Sequence, residues 1–294
     1  MMSAMRLDDY LRRTGLIDKA PRASDPAVPY SRSPALHPDL ATLRRLHVAH
    51  REAFLFENIT IQKGGRISLA LDDLERKFLD EGRGGYCFEQ NTLFAAALTD
   101  IGFEPVVLLG RVRRGPPERW ARTHMVLRLL LDGEPWLADV GFGGIGLLEP
   151  MPLRDGATAE QSGIEYTLRR RASAGYADAP GAGPGLWVLS ARVAESSMDL
   201  YEFPEDPQTA GDVEVANHYT ATHPDSIFRR TLTIQRSARP ERLVLRHDIV
   251  TRIRGGRSVD TPISPDRLAE VARDLFGVEL PGGPFVFESY SAGV

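Results

Sequence analysis

The only cysteine of the chain, Cys87, lies in the run RGGYCFEQN (83–91), just behind the pair Gly84-Gly85. A thiol becomes a nucleophile once ionised, and the free N–H groups and positive dipole end of a helix N-terminus favour the thiolate. Further along, His124 and Asp139 are of the types that activate such a group. An imidazole acts as base, and a carboxylate fixes its tautomer and orientation. Together, Cys, His and Asp supply the nucleophile, base and orienting acid of a covalent mechanism. Without such neighbours, a lone cysteine is a small buried hydrophobe and a lone histidine an ordinary satisfied or exposed side chain.

The elements carrying these residues bring them closer together. Cys87, Asn91, Phe94, Leu98 and Ile101 form one stripe closed by Gly102, so the spacing predicts a helix with Cys87 in its first turn. The segments HMVLRLLL and PWLADV alternate as strands, and Asp132-Gly133 between them is a strong hairpin signal. A two-residue turn there sets Leu131 opposite Glu134, Val126 opposite Asp139 and His124 opposite Gly141. Side chains alternate along a strand, so Asp139 shares a sheet face with His124 and lies diagonally across from it, within reach of an imidazole. Pro135 falls opposite Leu130 beside the turn, where its missing N–H is tolerated. The spacing leaves open whether Cys87 meets His124.

The rest of the chain reads as helices followed by strands. Leu7, Tyr10 and Leu11 share one helical face; Leu40, Leu43, His47, His50 and Phe54 share another; Leu71, Leu74 and Phe78 mark a third that stops near Gly82. His47 and His50 lack an accompanying carboxylate set, so a helix face is expected of them and not a metal site. Beyond Gly102 the strand candidates include PVVLLGRV, EYTLRRR, LWVLSAR, RRTLTIQ and RLVLRHDIVTRI, with a Gly/Ala/Pro-rich loop at 172–185. SPDRLAEVARDLFG reads as a helix with Ser264 as N-cap, Pro265 at the first position and Gly277 as C-cap. This order makes the class α+β. The glycines of GFGGIG do not follow a dinucleotide-binding pattern.

Composition narrows the partners. With 42% hydrophobic and 26% charged residues, the chain can build a sizeable core. A net charge of −4 argues against nucleic acid as the main partner. One cysteine excludes an internal disulfide and any Cys-rich metal site. The opening MMSAMRLDDYLRRTG has no signal-peptide core, and no run is long enough to span a bilayer. A cytoplasmic, reducing location is expected.

At this point the motifs, taken in order, resemble those of the arylamine N-acetyltransferase family. They are FLFENI (54–59), RGGYCFEQN, the His124-Met125-Val126 strand, Asp139-Val140-Gly141-Phe142-Gly143 and THPDSIF (222–228). The resemblance implies a helical first domain (1–102) carrying Cys87, a β-barrel second domain (103–212) carrying His124 and Asp139, and an α/β lid (213–294), around a cysteine-protease-like Cys-His-Asp core. It implies Cys87 as acyl-accepting nucleophile, His124 as base and Asp139 as orienting acid. The implied donor is acetyl-CoA, contacted by Thr123, Gly141, Phe142, Gly143, Gly144, Asn217, Thr222 and His223. The implied acceptor is an arylamine or hydrazine, with no metal, in a ping-pong route of xenobiotic metabolism. Glu57 and Arg83 match the family's structural ion pair near the site. Leu55 stands where proline is usual and Ala221 where serine is common, which puts one loop entry and one cofactor contact in doubt. A macrolactam-forming amide synthase of the same family, a transglutaminase- or protease-like hydrolase, and a binding module with an inert cysteine are the competing readings.

Overall fold

The computed structural model describes residues 5–18, 36–171 and 185–285. The N-terminal region is helical: α1 (Leu7–Arg13), α2 (Leu40–Ala53), a short strand β1 (Phe56–Glu57), α3 (Ile59–Gln62), α4 (Leu71–Glu75) and α5 (Cys87–Ile101). The expected faces are the buried ones, with Tyr10, Leu11, Leu43, Leu46, Phe78, Phe94 and Leu98 in one core. The third helix continues beyond α4 as a π-helical turn over Arg76–Asp80, and Gly82 follows with φ +64°. Gly102 ends α5 in the left-handed conformation at φ 105°, the usual role of glycine after a helix.

The central strands are β2 (Val106–Val112), β3 (Arg122–Leu131), β4 (Glu134–Ala138), β5 (Met151–Pro152), β6 (Ala157–Gln161), β7 (Ile164–Arg171), β8 (Leu186–Val193) and β9 (Ser196–Phe203). They form an eight-stranded antiparallel sheet in the order β5-β4-β3-β2-β9-β8-β7-β6. Its two ends also touch, giving a nearly closed barrel. The β3–β4 register is the expected one, with Leu131 opposite Glu134 and Leu127 opposite Ala138. Asp132 and Gly133 both take positive φ, 51° and 81°, as a type I′ turn requires. Val126 packs inside the barrel while Met125, Leu127 and Leu129 pack against the helices. Both faces of β3 are therefore covered around Val126 and Leu127, which suits the apolar residues there, whereas Leu130 beside the turn is exposed.

The remaining elements are α6 (Ala210–Thr222), α7 (Ile227–Arg230), β10 (Thr233–Ser237), β11 (Glu241–Arg246), β12 (Ile249–Arg254), β13 (Arg257–Pro262) and α8 (Leu268–Val271). Strands β10 to β13 make an antiparallel sheet that β1 joins at the edge of β10. Leu268, Val271, Ala272 and Phe276 pack on this sheet.

Three expectations need correction. RRTLTIQ begins as helix, since Arg229 and Arg230 belong to α7 and the strand starts at Thr233. RLVLRHDIVTRI is a hairpin, because His247 adopts φ 57° and turns the chain between β11 and β12. The C-terminal helix is composite: a 3-10 turn at Pro265–Arg267 precedes α8, a π turn at Ala272–Phe276 follows it, and Ser264 makes no side-chain cap bond. The loop expected at 172–185 lies outside the described residues except for Gly185.

The segment before Cys87 is held against the N-terminal region at very close range. Gly85 N–H donates to Leu55 O (3.2 Å) and Glu57 N–H to Gly85 O (3.1 Å). A Cβ on Gly84 would lie 1.9 Å from Leu55 O, a backbone atom that cannot swing aside. Gly84→Ala is therefore expected to cost about 3 kcal/mol or more in urea unfolding. Gly282→Ala serves as control, since a Cβ there meets nothing within 4 Å. Equal stability of the two variants would mean that residues 55 and 84 do not approach this closely.

Candidate active site

Cys87 is the first residue of α5, and it is 3% exposed. Its helix start is braced from within: Glu89 accepts the Tyr86 N–H at 3.1 Å and pairs with Lys77 at 2.6 Å. Lys77 also faces Glu57 at 3.7 Å, and Arg83 holds Glu57 at 2.7 Å. These four charges lock the segment 83–86 in front of the thiol. Gln90 adds Nε2–H bonds to Leu55 O (2.7 Å) and Gly85 O (3.1 Å). Leu55 contributes its carbonyl here, a group any residue supplies, so the missing proline is accommodated.

His124 comes from β3, at an irregularity in its pairing with β2. Gly110 pairs with His124 but the next residue, Arg111, pairs with Arg122. Thr123 is thus the extra residue of a β-bulge, a device that re-aims backbone groups. Its carbonyl faces Cys87 Sγ at 3.6 Å. His124 Nε2–H donates to Asp139 Oδ2 at 2.8 Å, both side chains being buried. That leaves Nδ1 as the ring nitrogen available to Cys87. Phe142 stands edge-on to the imidazole at 5.2 Å, and Tyr201 tilts over it at 4.7 Å.

Asp139 is fully buried and its oxygens are well supplied. Oδ1 accepts from Asn91 Nδ2 (3.1 Å) and Gly141 N (2.9 Å), while Oδ2 accepts from His124. Burial works against ionisation, but the His124 charge and these hydrogen bonds prevail and hold the carboxyl down to about 2. Burial likewise disfavours the imidazolium. The Asp139 charge and hydrogen bond, followed by Cys87, outweigh it and raise His124 to about 10. The resting ring is therefore charged.

The glycines after Asp139 permit close packing. A Cβ on Gly141 would lie 2.5 Å from Asn91 Nδ2 and 2.8 Å from Cys87 Cα, so this loop rests directly on the start of α5. A Cβ on Gly143 would lie 2.5 Å from Gln235 Oε1, and Gly144 N–H donates to that same oxygen. Asn217 is buried on α6, where its backbone O and Oδ1 accept from the Tyr86 hydroxyl and its Nδ2 donates to Ile67 O at 3.3 Å. Thr222 is exposed and donates to His218 O at 2.7 Å. His223 is half-buried and stacks on Tyr219 at 4.4 Å. Ala221, preceding them, is buried in the apolar core.

Sequence reading alone missed several contributors. Asn91 joins α5 to both other parts, donating to Met125 O (2.7 Å) and accepting from Val140 N (3.1 Å). It was visible only as the polar member of an apolar stripe. His47 accepts the Asp139 N–H at 3.1 Å and donates to Leu148 O at 2.8 Å; burial lowers it to about 4, so it is neutral. Two buried arginines, Arg51 and Arg242, hold the loop after Asp139. Among the described residues no group of His, Cys, Asp or Glu side chains could hold a metal ion, and no helix is long and apolar enough to cross a membrane.

A family model described as N-acetyltransferase matches residues 39–284. The chain is 35% identical over 246 residues to a Salmonella typhimurium arylamine N-acetyltransferase / N-hydroxyarylamine O-acetyltransferase, covering 82% of this chain and 83% of that one. This chain belongs to the arylamine N-acetyltransferase family. Its structure is similar to that of the Nocardia farcinica arylamine N-acetyltransferase, with a TM-score of 0.81, 33% identity and coverage of 94% and 90% of the two chains. The Mycobacterium marinum arylamine N-acetyltransferase in complex with CoA superposes with a TM-score of 0.78 at 29% identity over 92% of each chain. The helical N-terminal region and the nearly closed barrel are those of the family.

The His124–Asp139 pair should leave a pH signature in stability. His124 is raised from 6.5 to about 10, so its stabilisation is whole below pH 6.5 and is lost as pH rises through about 10. Asp139 is lowered from 3.8 to about 2, so its stabilisation is whole above pH 3.8 and is lost as pH falls through about 2. The melting-temperature gap between wild type and Asp139→Asn is expected to be widest from pH 3.8 to 6.5 and to narrow towards pH 10. A gap independent of pH would rule out a charged pair.

Proposed function

We propose that this chain transfers the acetyl group of acetyl-CoA to the nitrogen of an arylamine or hydrazine, in two steps through an acetyl-Cys87 intermediate. Family membership supports the overall reaction. The observation that supports the route is the packing of the Asp139 loop, by way of Gly141 and Asn91, onto the helix turn that carries Cys87. On this reading Cys87, His124 and Asp139 work together as nucleophile, base and orienter of a cysteine-protease-like set. Residues 1–102 then form the nucleophile-bearing domain, 103–212 the barrel domain, and 213–294 an α/β lid.

The proton inventory closes over the cycle. The route requires Cys87 to react as a thiolate, beside the His124 imidazolium. The thiolate attacks the thioester carbonyl, and backbone N–H groups at the start of α5 are proposed to hold the oxyanion. As the C–S bond to CoA breaks, the departing sulfur takes the proton from His124. Acetylation removes the negative sulfur from beside the ring, and the now neutral imidazole accepts the proton of the attacking amine. Collapse of that adduct releases the amide and returns Cys87 to thiolate and His124 to imidazolium. Asp139 stays ionised throughout and keeps Nε2 protonated.

Thr123, Phe142 and the end of α6 with Thr222 and His223 are proposed to meet the donor. Thr222 is exposed and His223 half-buried, so both are within reach of a solute. Gly141, Gly143, Gly144 and Asn217 spend their polar groups largely on internal partners and are proposed to shape the donor's site. CoA is present in the Mycobacterium marinum relative, and here it is a substrate that comes and goes.

The test is intact-mass measurement with acetyl-CoA and no acceptor. One acetyl group is expected on the protein, one equivalent of CoA released, and no adduct on Cys87→Ala. Adding an arylamine or hydrazine should discharge the adduct. Loss of the adduct to water as fast as to amine would indicate a hydrolase. A slow adduct without amine-dependent turnover would indicate an amide synthase. No adduct on folded, reduced protein would leave acetyl transfer through Cys87 without support.

A further inference from the structure

The loop that follows β4 is gripped from two sides by arginines that the proposed chemistry does not use. Arg51, on α2, donates from Nη1 to Val140 O (3.0 Å) and from Nη2 to Gly143 O (2.8 Å) and Ser237 Oγ (2.7 Å). Arg242, on β11, donates from Nη1 to Gly144 O (3.0 Å), Gly146 O (2.8 Å) and the Tyr166 hydroxyl (3.1 Å). Its Nη2 reaches Gln161 O at 3.5 Å. The two side chains thus tie residues 140–146 to the helical region, to the barrel and to the second sheet at once.

Their setting is electrostatically unfavourable. Both are buried, 4% and 2% exposed, and the Nε of each has no partner. Among the described residues neither belongs to an ion pair. Burial, then the neighbouring Arg242 charge, lowers Arg51 to about 10. Two cations held by carbonyl dipoles and hydroxyls cost stability that apolar side chains of similar size would not. Packing alone does not account for them.

We propose that Arg51 and Arg242 are positioning residues for acetyl transfer, fixing the 140–146 backbone so that Asp139 and Phe142 meet His124 in register. Asp139 orients the imidazole and Phe142 lies edge-on to it, and both are carried by the backbone these guanidiniums clamp. The inference rests on the reading of Cys87, His124 and Asp139 as the catalytic set. The two arginines also differ in a way that can be tested. Arg51 spreads two nitrogens over acceptors on different segments, which one lysine ammonium cannot span. Arg242 brings its three closest bonds to a single nitrogen, and an ammonium with three protons can reproduce that pattern.

The experiment uses the full chain and the variants R51M, R51K, R242M and R242K. It measures kcat and KM for an acetyl-CoA/arylamine pair, together with melting temperature. R51M, R51K and R242M are each expected to lose about tenfold or more in kcat, with KM and melting temperature near wild type. R242K is expected to recover most of the loss seen in R242M. Wild-type turnover in R51K, or activity losses that simply follow melting temperature across the series, would overturn the proposal. Should the Arg51 variants not fold, S237A removes a single acceptor. It is expected to lower kcat about two- to fivefold at unchanged melting temperature, and an unchanged kcat would count against the clamp. Wild-type Cys87 acetylation is followed by mass in the same series. Its absence would mean that the catalytic reading has failed, whereas normal acetylation with unaffected arginine variants would overturn the clamp alone.

Discussion

A carboxylate with no exposed surface is the constraint on which the arrangement depends. Leaving Asp139 ionised in the interior would be prohibitive without hydrogen-bond donors, and each donor comes from a different part of the fold. His124 arrives on β3, Asn91 on α5 and Gly141 N–H from the loop itself, while His47 on α2 takes the Asp139 backbone N–H. Satisfying one carboxylate therefore fixes the barrel, the helix of Cys87 and the helical core relative to one another. Asn91 lies one turn beyond Cys87, so the bond that shields Asp139 also sets the height and rotation of the helix presenting the thiol.

What could be read in the sequence was what is local. Asp132-Gly133 announced its turn, and the turn determined the register as far as Leu127 opposite Ala138; the expected pairs Val126–Asp139 and His124–Gly141 lie beyond the ladder, yet Asp139 still meets His124. The apolar stripe from Cys87 to Ile101 likewise gave the helix and its glycine stop. The hairpin at His247 stayed hidden because a histidine, and not a glycine or asparagine, takes the left-handed conformation there. The bulge at Thr123 left no mark, since a one-residue shift in pairing is decided by the partner strand.

The arginine contacts were out of reach for another reason. Arg51 meets Gly143 and Ser237 at separations of 92 and 186 residues, and Arg242 meets Gly146 at 96. In sequence, each is one basic residue among 36. Their acceptors are backbone carbonyls and the hydroxyls of Ser237 and Tyr166, which carry no recognisable sequence signature. Only after the chain has folded are these dipoles gathered around one loop. The same holds for the lock of Lys77, Glu89, Glu57 and Arg83, of which just one pair had a motif to point to it.

The three buried histidines show how far burial alone can mislead. His47, His50 and His124 are each 2% exposed or less. Burial pushes the first two down to about 4 and about 3. Their partners are a backbone carbonyl, a backbone N–H, a tyrosine hydroxyl and a glutamine carbonyl, which suit a neutral ring. His124 suffers the same burial yet is raised, because its partners are a carboxylate and the Cys87 sulfur. One of those causes is permanent and the other is chemical. On the proposed route, acetylating the sulfur removes its influence on the ring while leaving Asp139 in place, so the ring's hold on its proton weakens at the stage where a base is needed. On that route, the geometry that favours a charged His124 at rest also lets the state of Cys87 control it.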